Sequence, residues 1–127
     1  MPWVGCLVRR TRLIATAELG LVVPFANAAL MKTVQGSTMV AIITAAGFTQ
    51  LLLPGLSLDG ETARALTVVA IGAGAMVVSH ANDSLFWIVT RSCGMTPGQG
   101  YALLTIGTLV HGSVAAIALL FIQAAVL

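Results

Sequence analysis

The sequence predicts an all-α, polytopic membrane protein built from a re-entrant helical hairpin, a broken transmembrane helix and a final transmembrane helix. Three observations carry this expectation. First, hydrophobic residues make up 58% of the 127 residues, charged residues only 8%, and the mean hydropathy is +1.02. Soluble domains carry roughly 25% charged residues, and a chain this poor in charge would expose large apolar patches to water. Second, the apolar residues come in long Ala-, Gly-, Leu- and Val-rich runs rather than in alternating ten-residue strands. Backbone polar groups in lipid must be satisfied within the segment, so helices are favoured over a barrel. Third, two short polar islands interrupt the apolar chain, Gln35-Gly36-Ser37-Thr38 and Ser79-His80-Ala81-Asn82-Asp83-Ser84.

The chain opens with a segment, residues 1–18, that carries Arg9, Arg10 and Arg12; residues 19–127 form the main unit. The net charge of +2 comes from these arginines and from scattered Lys32, Arg64 and Arg91, which is a topology signal rather than a nucleic-acid footprint. The basic start, the apolar run Leu19–Phe25 and the sequence Ala26-Asn27-Ala28 mimic a signal peptide. The remainder of the chain does not resemble a secreted domain, because it stays apolar to Leu127. Cys6 and Cys93 have no metal-ligand spacing and read as small apolar-tolerant residues.

The first apolar stretch runs from about Leu13 to Met31 and contains Glu18, Pro24 and Asn27. The second, from about Met39 to Leu53, would reach roughly 22 Å as a helix, short of a hydrocarbon core roughly 30 Å thick. The two together read as a helical hairpin with its tip at Gln35–Thr38; two ordinary tilted spans fit the same lengths. Glu18 and Lys32 are expected at the interface.

The third stretch, from about Thr62 to Val89, would be roughly 40 Å long as one helix. Its middle holds the second polar island, which is costly in mid-span unless it faces protein or a water-filled cavity. Ser, Asn and Asp also favour helix ends. The economical reading is Thr62–Val78, an unwound polar segment, then Leu85–Arg91. Phe86 and Trp87 are expected to pack on lipid or in an interfacial belt. The fourth stretch, Tyr101–Leu127, is a full span with His111-Gly112 near its centre. Gly72, Gly74, Gly107 and Gly112 suit close helix packing.

Broken helices near the bilayer midplane are how secondary transporters build binding sites. A half-helix N-terminus presents free N–H groups to an anion. Gly36 allows close backbone approach, and Ser37 and Thr38 can cap the following half-helix or bond substrate oxygens. A carboxylate-bearing polyol suits such a site; a phosphate or another organic acid suits it as well. Asp83 and His80 both titrate, and an intramembrane carboxylate is a candidate for proton coupling, since a low-dielectric setting disfavours its charged form. The alternative is structural, with Asp83 capping the second half-helix and His80 bonding nearby backbone. No nucleophile–base triad, metal cluster or phosphate-cradling loop is visible, so the chemistry on offer is binding and translocation, with no cofactor and no enzyme activity.

The run ALMKTVQGSTMVAIITAAG, from Ala29 to Gly47, resembles the gluconate permease family's pattern QGS-x-x-VA-x-x-T-A. The run VSHANDSLFWIV, Val78 to Val89, is similar to that family's SH-x-ND-S/A-GFW. Gly94-Met95, then Thr105 and Gly112, follow its final helix. The resemblance covers roughly Leu19 to Leu127 and the C-terminal part of such a transporter. It implies proton-coupled uptake of gluconate or a related sugar acid across the bacterial inner membrane by a multi-pass protein. It also implies that Gly36, Ser37 and Thr38 lie at the hairpin tip, and that Ser79, His80, Asn82, Asp83 and Ser84 belong to the unwound segment, together forming the substrate site. Leu85 stands where the family has Gly, and Thr108 where an acidic or polar residue is expected. The implied partners are a small organic anion, the lipid bilayer, the remainder of the transporter and, as an open alternative, further copies of the chain. Rival readings are a small helical membrane-interaction protein, against which the polar islands count, and a truncated permease remnant that shares the motifs.

Overall fold

The computed structural model describes residues 20–126 apart from 57 and 59. Arg9, Arg10, Arg12, Glu18, Cys6 and the boundary at residue 18 lie outside the described residues. Among the described residues every regular element is helical. α1 covers residues 20–35, α2 spans Thr38–Leu52 and a 3₁₀ turn follows at Leu53–Leu56. α3 spans Glu61–Gly74 and α4 spans Ser84–Ser92. A short α5, Pro97–Gly100, runs through a π-helical turn, Tyr101–Thr105, into α6, Ile106–Val126.

The helix boundaries follow local chemistry. α1 continues through Lys32 to Gln35, beyond the expected end at Met31, because Lys, Thr, Val and Gln keep a helical ladder going. It stops at Gly36, whose φ of +68° is open to glycine but strained for other residues. The Gly36 N–H still reaches the Lys32 carbonyl at 2.9 Å. α3 ends at Gly74, before the expected Val78, and the chain stays non-helical to Asp83. Asp83 then starts α4 by accepting the Leu85 N–H at 3.1 Å, the arrangement a side-chain cap requires. Thr96 and Gln99 form a reciprocal capping box around Pro97 at the start of α5.

Two small cores hold the helices together. Leu21, Leu58, Ala63, Leu66, Ala70 and Leu119 pack in one; Ala28, Ala41, Ala45, Ile71 and Ala75 pack in the other. The second unites α1, α2 and α3 through alanines, which lets backbones approach closely. Gly74 and Gly112 are close-approach positions: a Cβ on Gly74 would strike the Phe25 carbonyl, and one on Gly112 would lie 2.7 Å from Val77. Gly72 and Gly107 face open space, so packing does not explain them. The Ala26-Asn27-Ala28 run lies inside α1, with Ala28 buried in the alanine core.

Among the described residues, two helices are long and apolar enough to cross a membrane, Thr38–Leu56 and Pro97–Ala125. Only 17% and 11% of their most apolar windows are buried within the protein. A core helix of a soluble domain would be mostly covered, so these surfaces call for lipid or further protein. Met39, Ile43, Leu51 and Phe121 are among the large side chains they expose.

Candidate functional site

The two polar islands meet. The junction between α1 and α2 packs against the non-helical segment between α3 and α4, although Val34 and Asn82 are 48 positions apart in sequence. Asn82 Nδ2 donates to the Val34 carbonyl at 2.7 Å. The Gly36 backbone lies so close to the Asn82 carbonyl that any Cβ at Gly36 would collide with it. Glycine is needed at Gly36 for this approach as well as for its φ.

A buried ion pair stands behind this contact. Lys32 Nζ lies 2.5 Å from Asp83 Oδ2, and the two side chains are 3% and 6% exposed. Lys32 also donates to Thr38 Oγ1 at 2.9 Å. Ser79 Oγ donates to the same Asp83 Oδ2 at 2.6 Å, while Asp83 Oδ1 accepts from Leu85 N–H. One carboxylate thus joins α1, the non-helical segment and the start of α4. Lys32 was expected at the interface, and its burial corrects that. A long basic side chain ending an apolar run usually snorkels to water, but here a carboxylate 51 residues away holds it inside.

The π turn and α6 close the far side. Thr105 Oγ1 donates to the Ser79 carbonyl at 2.6 Å, and Ser79 N–H donates to Thr108 Oγ1 at 3.1 Å. Thr108 in turn donates to the Leu104 carbonyl at 2.8 Å. The two threonines supply the partners that Ser79 loses by leaving the helix. In the sequence, only the polarity of Thr105 and Thr108 inside an apolar span marks them for a site role.

The remaining site residues fall into two groups. His80 has Nδ1 buried with no hydrogen-bond partner, and its carbonyl accepts from Asp83 N–H at 2.7 Å. Ser37 occupies the N-cap position of α2, but its hydroxyl does not cap the helix. The first-turn N–H groups of α2, which a helix leaves without backbone partners, are therefore not satisfied by that side chain. Ser84 and Asn82 are exposed, and Ser37 and Thr38 are half-buried. Phe86 does not face lipid: it is fully buried, stacked against Tyr101 with centroids 4.9 Å apart and against Gly100. Trp87 is exposed and donates Nε1–H to the Ala81 carbonyl at 2.7 Å. Among the described residues no group of His, Cys, Asp and Glu could hold a metal. A cleft of about 460 Å³ between α2 and α3, lined by Thr49, Gln50, Arg64, Thr67 and apolar neighbours, shares no residue with this cluster.

Comparison with known proteins places the chain among permeases. The sequence profile described as GntP family permease matches residues 10–126. The chain is 34% identical to the low-affinity gluconate transporter of Escherichia coli (strain K12) over 93 residues, which is 73% of this chain and 21% of that protein. It is 36% identical to a gluconate permease of Pseudomonas aeruginosa over 74 residues, 58% of this chain and 16% of that protein. It is 32% identical to the D-serine transporter DsdX of Escherichia coli (strain K12) over 88 residues, 69% of this chain and 19% of that protein. The chain thus spans about a fifth of the length of the curated relatives it matches, which are transporters and permeases rather than enzymes. No solved structure matches it.

Proposed function

The chain belongs to the GntP permease family, and on that premise we propose that it forms part of a secondary transporter for a small hydroxylated carboxylate, gluconate or a related sugar acid, driven by protons. In this reading α1 and α2 form a re-entrant hairpin, α3 and α4 are the halves of one broken transmembrane helix, and α6 is a closing span. The protein is multi-pass in a bacterial inner membrane, and the remainder of the permease completes the site. Gly36, Ser37, Thr38, Ser79, His80, Asn82, Asp83 and Ser84 line the substrate path, with Asp83 and His80 as the proton-coupling groups.

One observation carries the reading: the tip between α1 and α2 and the non-helical segment before α4 meet around a buried Lys32–Asp83 pair. Non-helical backbone at membrane depth is tolerated where it is held by protein or lines a cavity, and such breaks mark transporter sites. The names of the relatives narrow the ligand. Gluconate and D-serine, the ligands in the relatives' names, both carry a carboxylate with a hydroxyl close by. An uncapped helix N-terminus, one ammonium and several hydroxyls match that pattern. The α4 N-terminus is unsuited to an anion, because the Asp83 carboxylate already occupies it.

The test replaces the matching segment of the Escherichia coli low-affinity gluconate transporter with this chain and measures labelled gluconate uptake in cells lacking other gluconate uptake. Membrane level and monodispersity in detergent report folding. Concentrative uptake that a protonophore abolishes is the expected result. A chimera that is inserted and monodisperse yet neither binds nor transports gluconate or D-serine would overturn the reading.

A further inference from the structure

We propose that Lys32 is the anion-binding residue of this site, and that protonation of Asp83 releases it for the substrate carboxylate. This rests on the permease reading above and specifies how its proton and its anion are coupled.

The placement of Lys32 is the starting point. Its ammonium bonds Thr38 Oγ1, and Thr38 is the first residue of the 15-residue helix α2. A cation at a helix N-terminus has the wrong sign for stability, since that end already carries partial positive charge. The Ser37 hydroxyl does not cap the helix. Two positive elements therefore converge on one spot inside an apolar protein, which suits an arriving anion. Asp83 supplies the opposing charge, 2.5 Å from the ammonium. A substrate carboxylate and the Asp83 carboxylate are thus rivals for one cation.

Charge balance turns the rivalry into coupling. With Asp83 ionised and no substrate, Lys32⁺ and Asp83⁻ cancel. With Asp83 protonated and a monoanion bound, Lys32⁺ and the substrate cancel. Proton alone or anion alone leaves one uncompensated charge in a buried site, which is strongly disfavoured. The empty and doubly loaded forms are therefore the stable ones. In the loading step a proton from water adds to a carboxylate oxygen of Asp83. The new O–H can donate to Ser79 Oγ, 2.6 Å away, once that hydroxyl turns round. Leu85 N–H stays on Oδ1. The ammonium, on its flexible four-carbon stem, moves its N–H to a substrate oxygen.

Among the described residues, Lys32 of α1 and Ser79 of its own segment bond the Asp83 carboxylate, Thr38 of α2 bonds Lys32, and the His80 carbonyl accepts the Asp83 N–H. Behind Ser79 stand Thr105 and Thr108 of the π turn and α6. Of these the Lys32 ammonium is the one cation and the His80 imidazole the one other proton-accepting side chain, so His80 is the rival proton site.

Calorimetric titration of the purified chimera with gluconate, in buffers of different ionisation enthalpy, tests this. The expected result is one proton taken up per gluconate bound, with affinity falling about tenfold per pH unit once Asp83 is ionised. Asp83→Asn binds gluconate with a pH-independent affinity and no proton uptake. Lys32→Ala weakens binding by at least about 30-fold. The double variant Lys32→Ala with Asp83→Asn removes both charges, so it stays folded and still binds no gluconate. Recovery of binding in that double variant would make the pair merely structural and overturn the proposal. Proton uptake that survives Asp83→Asn and disappears in His80→Gln would overturn it too. A wild-type chimera that binds gluconate without proton uptake sinks the charge exchange and leaves the permease reading standing. A folded chimera that binds neither gluconate nor D-serine sinks the reading itself.

Discussion

Replacing Gly36 by alanine tests the meeting of the two islands at one atom. Gly36 has φ of +68°, a conformation that costs a residue with a Cβ about 1–2 kcal/mol. The added methyl would also strike the Asn82 carbonyl oxygen and lie 3.1 Å from Asn82 Cγ. The tip must move away, which breaks the Asn82–Val34 hydrogen bond, a loss of about 1 kcal/mol. The sum is a destabilisation of about 2–3 kcal/mol. Gly72→Ala is the internal control. Gly72 lies inside α3 with open space where its Cβ would point, so alanine there should stabilise by up to about 1 kcal/mol. Reversible unfolding by dodecyl sulfate in mixed micelles, followed by far-ultraviolet circular dichroism, reads both changes. A Gly36→Ala variant within about 0.5 kcal/mol of the parent would mean that the tip does not approach Asn82, and the site geometry would be wrong.

Other outcomes are expected in the same assay. Lys32→Met alone should cost about 3–5 kcal/mol by stranding Asp83, and adding Asp83→Leu should restore most of that; a double variant as weak as the single would refute the pairing. Thr105→Val removes the donor to the Ser79 carbonyl and should cost about 1–3 kcal/mol, whereas Ser113→Ala, which loses only a bond to its own helix at the exposed Leu109 carbonyl, should stay within about 0.5 kcal/mol. Phe86→Ala should cost about 3–5 kcal/mol because the ring is fully buried; a loss under about 1 kcal/mol would return Phe86 to a lipid-facing role.

The non-helical junctions after α1 and before α4 were legible because they rest on local chemistry. Gly36-Ser37 and the run from Ser79 to Ser84 are poor helix interiors in any context, and Asp83 followed by Ser84 and Leu85 is a cap from the sequence alone. The partnership across the break was not legible. A lysine that ends an apolar run looks interfacial until its carboxylate is found, and nothing local ties Lys32 to a residue 51 positions on. Phe86 was misplaced for a related reason. Its neighbours Leu85, Trp87 and Ile88 are exposed, and only the turn into α5 brings Gly100 and Tyr101 over the ring. Thr108, at a position where an acidic or polar residue is expected, serves as an acceptor for a backbone N–H. A neutral hydroxyl is enough for that task.

The wide turn at Tyr101–Thr105 sets the phase of everything after it. Ordinary helices advance about 100° per residue, and a π turn absorbs one extra residue within a single loop of the coil. The side chains of α6 are thereby rotated against those of α5 by about that angle. This brings Thr105 and Thr108 to bear on Ser79 while Phe86 keeps its seat beside Gly100 and Tyr101. Any alignment that treats Pro97 to Val126 as one uniform helix will misassign which side of it faces inward. Deleting one residue within the turn should turn α6 like a key in its bed, leaving every side chain present and swinging the two threonines away from the strand of backbone they support.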